Sequence, residues 1–278
     1  MLKHTIVSGL VLFATLALML GPSRADAELP PLDPLTYADL ADLALPAKIV
    51  AKVQITDTIQ IKDGPGAPLK NDVVRLYVTA HITDLIRGQV DTPQAISFLD
   101  DVPRDVRGKA PKLKNTFALV FARPVPERTS EVQLNAPDAA ISWSAERESL
   151  VRTILVAANA PDSPQTIKGI DSAFSVPGTI PGERETQIFL QTDSRPVSLV
   201  VAHQANESPT WTVALGEIVD HGAPPPPRDS LLWYQLACHL PPVIPNAKLV
   251  AVPDQADAIR DDYAIVLQGL GACRRGRR

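Results

Sequence analysis

Serine, histidine and aspartate close together can do nucleophilic catalysis, and this chain has one such grouping. Asp220-His221 stands shortly before Asp229 and Ser230, with a proline-rich stretch between them. A histidine can take the proton of a serine hydroxyl while a carboxylate orients its ring, provided all three come within hydrogen-bond reach. Adjacent residues of a strand point to opposite faces, so Asp220 and His221 serve one centre only if the backbone turns between them. The competing assignment is a surface histidine followed by residues that start a helix. The other histidines beyond the N-terminal segment, His81, His203 and His239, are scattered. His239 falls in the last turn of an expected helix, where it complements the helix dipole. No G-x-S-x-G elbow, H-E-x-x-H, P-loop or G-x-G-x-x-G occurs. No cofactor motif and no metal-ligand set is recognisable.

The second grouping is basic. Arg104, Arg107, Lys109, Lys112 and Lys114 are opposed only by Asp105 within residues 104–114. In a connection between two strands they make a local positive field that can meet an anion; the alternative is a solvated hairpin loop. Asp100-Asp101 precede this run. A calcium site needs about six or more oxygens in one tight loop, and the interleaved arginines make local ion pairs the simpler expectation. The Arg274–Arg278 tail is expected to be a solubilising end. With aromatics at 5%, Trp143, Trp211 and Trp233 are expected to anchor the core.

The first 27 residues decide where any of this chemistry takes place. Lys3 and His4 precede an apolar run from Ile6 to Leu20, then Gly21-Pro22 and the Ala25-Asp26-Ala27 site. The run is shorter than the roughly 20 residues that span a bilayer. The pattern is that of a signal peptide cleaved after Ala27, and the expected location is periplasmic. Removing 27 of 278 residues leaves 251, enough for one large or two small cores. Two cations and one anion leave with the leader, so the net charge goes from −4 to −5. A mildly acidic chain argues against general nucleic-acid binding. No later segment is apolar enough to span a membrane. In an oxidising compartment the two cysteines, Cys238 and Cys273, read as one disulfide, and the absence of a CxxC argues against zinc.

The hydrophobic period then places the elements. Thr36 and Asp39 form the start signal of a short helix that Pro46 stops. Alternation over 49–61, 74–82, 95–99 and 115–123 predicts four strands, with 131–135 and 139–143 as candidates for a fifth. Strands joined only by loops suggest a small antiparallel barrel, which removes exposed edges. Ser144 caps the next helix, which Pro161 ends. The stretch 161–186 reads as loop. Segments 187–190, 197–202 and 211–215 predict a three-strand meander. Pro224–Pro227 is a rigid spacer. A helix follows from Asp229 or Ser230, then a short strand at 248–252. A last helix starts at Pro253 and is capped by Gly271. A Cys238–Cys273 bridge would join two C-terminal helix ends, which predicts roughly parallel helices.

The stretches FLDDVPRDVRGKAPKLKNTFALVFARPVPE, ETQIFL and GEIVDHGAPPPPRDSLLWYQLACHLPP resemble a family of uncharacterised exported proteins of sphingomonad-type alphaproteobacteria. That resemblance implies export and carries no known activity, ligand or catalytic residue. The front half is also similar in shape to the OB-like barrels of the netrin/TIMP-type module, without that module's cysteines. The fold expected is α+β. A barrel-like part spans 28–143, and a helix, meander and two disulfide-linked helices span 144–278. The function expected is a non-enzymatic periplasmic binding or interaction protein. Its partner would be an envelope component: an anionic glycan, a lipid headgroup or a protein. The alternatives are a hydrolase built on Asp220, His221, Asp229 and Ser230, or a protein inhibitor.

Overall fold

A helix start written into four residues opens the described part of the chain. In the computed structural model, which describes residues 35–62, 69–216, 222–250 and 253–277, Thr36 Oγ1 accepts from the Asp39 N–H at 3.2 Å. The Asp39 carboxylate in turn accepts from the Thr36 N–H at 2.8 Å. This reciprocal cap starts α1 (Tyr37–Ala44).

Period-two alternation then builds β1 (Ile49–Ile61), β2 (Val73–Arg87), β3 (Ala95–Pro103), β4 (Phe117–Val125), β5 (Arg128–Leu134) and the short β6 (Ala140–Ser142). Neighbours run β1-β2-β3-β5-β4-β6, and β1 also pairs with β4. Five strands therefore close into a barrel, with β6 appended to β4. The seam is the parallel contact of β3 with β5 at Ser97 and Glu131; the other pairings are antiparallel. Thr56 is skipped in the β1–β2 register, a bulge that lets the long β1 bend. Val53, Val74, Leu76, Val78, Ile96, Phe98 and Val120 are buried at alternate positions. On β4 the intervening Leu119 and Phe121 are buried too. They belong to the same apolar cluster as Leu40 and Leu43 of α1 and Val151 and Ile154 of α2 (Ala145–Asn159).

The second sheet has four strands, not the expected three. β7 (Gly169–Pro177), β8 (Arg184–Gln191), β9 (Val197–His203) and β10 (Thr210–Ala214) form a meander in the order β10-β9-β8-β7. β7 falls inside the stretch read as loop. Its buried positions Ile170, Ala173 and Ser175 include two small side chains, and its register slips between Ile170 and Ser172. That weakens the hydrophobic alternation.

α3 (Leu231–His239) is capped by Ser230, and α4 (Pro253–Leu270) lies against β7 and β9. Between them the expected short strand is a 3₁₀ turn at Asn246–Lys248 with one parallel bridge from Leu249 to Ala173. Ala251 and Val252 lie outside the described residues. Cys238 and Cys273 are bridged, with Cα atoms 5.1 Å apart. The helices are nevertheless not parallel. Trp233, early in α3, donates to the Leu270 carbonyl at the end of α4, and Tyr263, in mid-α4, donates to the Pro241 carbonyl after α3. That is the sense of a hairpin. Gly271, at φ +68°, turns the chain after α4 in the left-handed conformation. Cys273 thus lies beyond the helix and meets Cys238 without aligning the two axes.

Candidate functional site

The β3–β4 connection holds the basic run and has its own internal frame. The Asp105 carboxylate accepts from the backbone N–H groups of Arg107 (2.9 Å) and Lys109 (2.8 Å). The Asp105 N–H donates to the Lys109 carbonyl at 2.8 Å. The Lys109 N–H foremost, then that of Arg107, holds this carboxyl below its ordinary value, so it stays charged. Arg104 folds back: its Nε donates to the Asn71 carbonyl at 2.8 Å and its Nη1 to the Gly108 carbonyl at 3.0 Å. Its N–H donates to the Asp72 carbonyl. At the other end the Asn115 N–H donates to Ile55, and Ile55 to Thr116. Both ends of the loop are thus tied to the β1–β2 ribbon.

This frame leaves Arg107, Lys109, Lys112 and Lys114 exposed. Among the described residues, none of them, nor Arg104, forms an ion pair. The local ion pairs expected with Asp100 and Asp101 do not form. Asp101 is gripped by Arg75 through two bonds of 2.7 Å. Asp100 points into the barrel and is 2% exposed. Burial first, then the charges of Asp101 and Asp138, push its pKa up to about 8. The structure therefore sends the three acids Asp100, Asp101 and Asp105 to three different places.

Of the second grouping, Asp220 and His221 lie outside the described residues. Asp229 is exposed at φ +60°, on the rim of a cleft of about 370 Å³ between α1 and α3. Ser230 Oγ accepts from the Trp233 N–H at 3.2 Å, which is a helix cap. His81 is exposed on β2. His239 lies edge-on to Tyr234, with ring centroids 5.1 Å apart.

Two polar constructions join residues that lie far apart in the sequence. The first surrounds Asp262 on α4, which is fully buried. It accepts from Arg184 Nη2 (2.7 Å) and Nε (3.1 Å) and from Thr186 Oγ1 (2.5 Å), and it lies 2.5 Å from His203 Nε2. Burial would raise its pKa, but bonds from Arg184, Thr186 and His203 hold it below the ordinary value. The network fastens α4 to β8 and β9. Its members are 78, 76 and 59 residues from Asp262 in the chain, so no local motif announces it.

The second is the C-terminal tail, which is docked and is not a loose solubilising end. The Gly276 and Arg277 N–H groups donate to Asp39 at 2.8 and 3.1 Å. Arg275 pairs with Asp42 at 2.6 Å, and Arg277 reaches Asp138. The only advance signal was the acid spacing of α1, where Asp39 and Asp42 lie one turn apart on one face. Trp211 and Trp233 are buried core anchors, whereas Trp143 covers Lys52 (3.7 Å to the ring centroid) and donates to Glu148. Neither a protein-family model nor a curated protein sequence matches this chain.

Proposed function

We propose that this is an exported, periplasmic, non-enzymatic binding protein that recognises an anionic component of the cell envelope through its β3–β4 loop. The observation that carries this reading is the loop's construction. Asp105 and Arg104 stiffen the backbone, and four further cations are presented to solvent without ion-pair partners among the described residues. Preorganised charge of one sign costs little to order on binding and speeds encounter with an anion. The leader pattern at 1–27 supports export, and the disulfide suits an oxidising compartment.

Titration of the protein with dextran sulfate, followed by calorimetry at rising salt, tests the reading. Binding should weaken with salt and disappear when Arg107, Lys109, Lys112 and Lys114 are all changed to Glu. Equal binding by that variant sinks it. Export has a separate check, because N-terminal sequencing of the protein recovered from cells should begin near Glu28.

A further inference from the structure

The basic loop does not act alone: it is joined to a second segment at the same end of the barrel. Arg104 bonds the Asn71 and Asp72 carbonyls, so the β3–β4 loop and the end of the β1–β2 connection are joined along one edge. Apolar side chains stand in that edge among the charges. Val106 is 72% exposed and is flanked by Asp105 and Arg107, and Leu69 is 37% exposed beside Lys70. Lys62 and Lys70 extend the positive field. Asp57, Asp72 and Asp105 oppose it, but the Asp105 carboxylate is turned onto its own loop's N–H groups.

We infer that this edge docks on the surface of an anionic phospholipid bilayer, with Val106 and Leu69 entering the headgroup layer and the cations meeting lipid phosphates. The inference rests on the proposed anion recognition and narrows its partner. Two features favour a bilayer over a soluble anion. An exposed valine in the 105–108 turn of a basic loop gains nothing from a hydrated glycan, whereas it gains free energy where hydrocarbon begins. Cations spread along one edge also match a plane of charge, and each contributes roughly 1 kcal/mol near such a surface.

The test is co-sedimentation of the full-length protein with phosphatidylcholine vesicles, with and without an equal part of phosphatidylglycerol. Every variant carries the same N-terminus, so differences among them report the loop. The wild type should bind the anionic vesicles more than the neutral ones, and that excess should shrink as salt rises. Arg107→Glu with Lys109→Glu should lower partitioning by at least about 25-fold, that is about five-fold for each cation withdrawn. Val106→Ser keeps every charge and sits on the surface, so it should fold normally, yet it should lower partitioning several-fold.

Dextran sulfate provides the distinguishing arm. Binding to dextran sulfate without binding to anionic vesicles overturns the bilayer inference and leaves anion recognition standing. Binding to neither overturns both. Vesicle binding that is unchanged in Val106→Ser overturns the inserted valine and therefore the docking mode.

Discussion

At the scale of single residues, two buried carboxyls behave in opposite ways because of what surrounds them. Asp100 faces the barrel interior, and its Oδ1 has no hydrogen-bond partner among the described residues. Its pKa is about 8 against an ordinary 3.8, so the folded state holds a proton that the unfolded chain releases. Stability from this group therefore falls as pH rises from about 4 to about 8. Asp100→Asn, which keeps the shape and removes the titration, should stabilise the protein by ~2 kcal/mol or more at pH 8. It should also flatten the pH dependence in that window. Urea unfolding at several pH values checks both, and a destabilised variant would count against the assignment. Asp262 is the converse case: hydrogen-bonded on every side, it is held below the ordinary value. Its contribution is present above the unfolded carboxylate pKa of about 4 and is lost as pH falls through the folded value. Asp262→Ala strands the half-exposed Arg184 and His203 and should cost ~2–3 kcal/mol, with hydrogen exchange rising along α4 before the barrel.

At the scale of elements, legibility followed how far apart the cooperating residues lie in the chain. α1 was readable because Thr36 and Asp39 cap each other across one turn. The barrel strands were readable because Val74, Leu76, Val78 and Ala80 alternate strictly with half-buried neighbours. β7 was not, because Ala173 and Ser175 are too small to mark a buried face. The direction of the helix pair is not legible from the cysteines, because Gly271 carries Cys273 off the helix and frees the bridge from the helix axes. The basic loop was legible as a cluster of charges. Its stiffening by Asp105 is not, because a carboxylate that accepts from nearby N–H groups leaves no mark in composition. The docking of the tail is not legible locally, because its partners Asp39 and Asp42 lie more than 230 residues away in the chain. Burial would raise the Asp39 carboxyl, but N–H groups of Thr36, Gly276 and Arg277 hold it below the ordinary value. Asp39→Ala thus loses a helix cap and a docked tail together and should cost ~2–3 kcal/mol. Asp39→Asn retains an acceptor and should cost less. Chemical denaturation ranks the two, and equal losses would remove the charge from the explanation.

At the scale of the whole molecule, the two ends of the described chain meet at one place. The tail touches Asp39 and Asp42 of α1 and Asp138 of the β5–β6 connection, and Tyr234 of α3 also donates to Asp42. The first helix, the barrel and the C-terminal helices are thus tied by polar contacts over an apolar cluster that already runs through all of them. The Cys238–Cys273 bridge sits one residue before the docked tail and closes a loop with a sequence separation of 35. In the chain-entropy account it acts mainly on the unfolded state and contributes roughly 3–4 kcal/mol. Because the ion pairs and the Asp262 network hold the same helices independently, the reduced protein should remain folded, with unchanged far-ultraviolet dichroism and a lower unfolding midpoint. The local effect should be sharper than the global one. The amide protons of Gly276 and Arg277, bonded to Asp39, should exchange faster on reduction, while those of β1, β2 and β4 keep their order of protection. Uniform acceleration through the barrel would mean that the bridge supports the core itself. No change at Gly276 and Arg277 would mean that the acids of α1 hold the tail unaided.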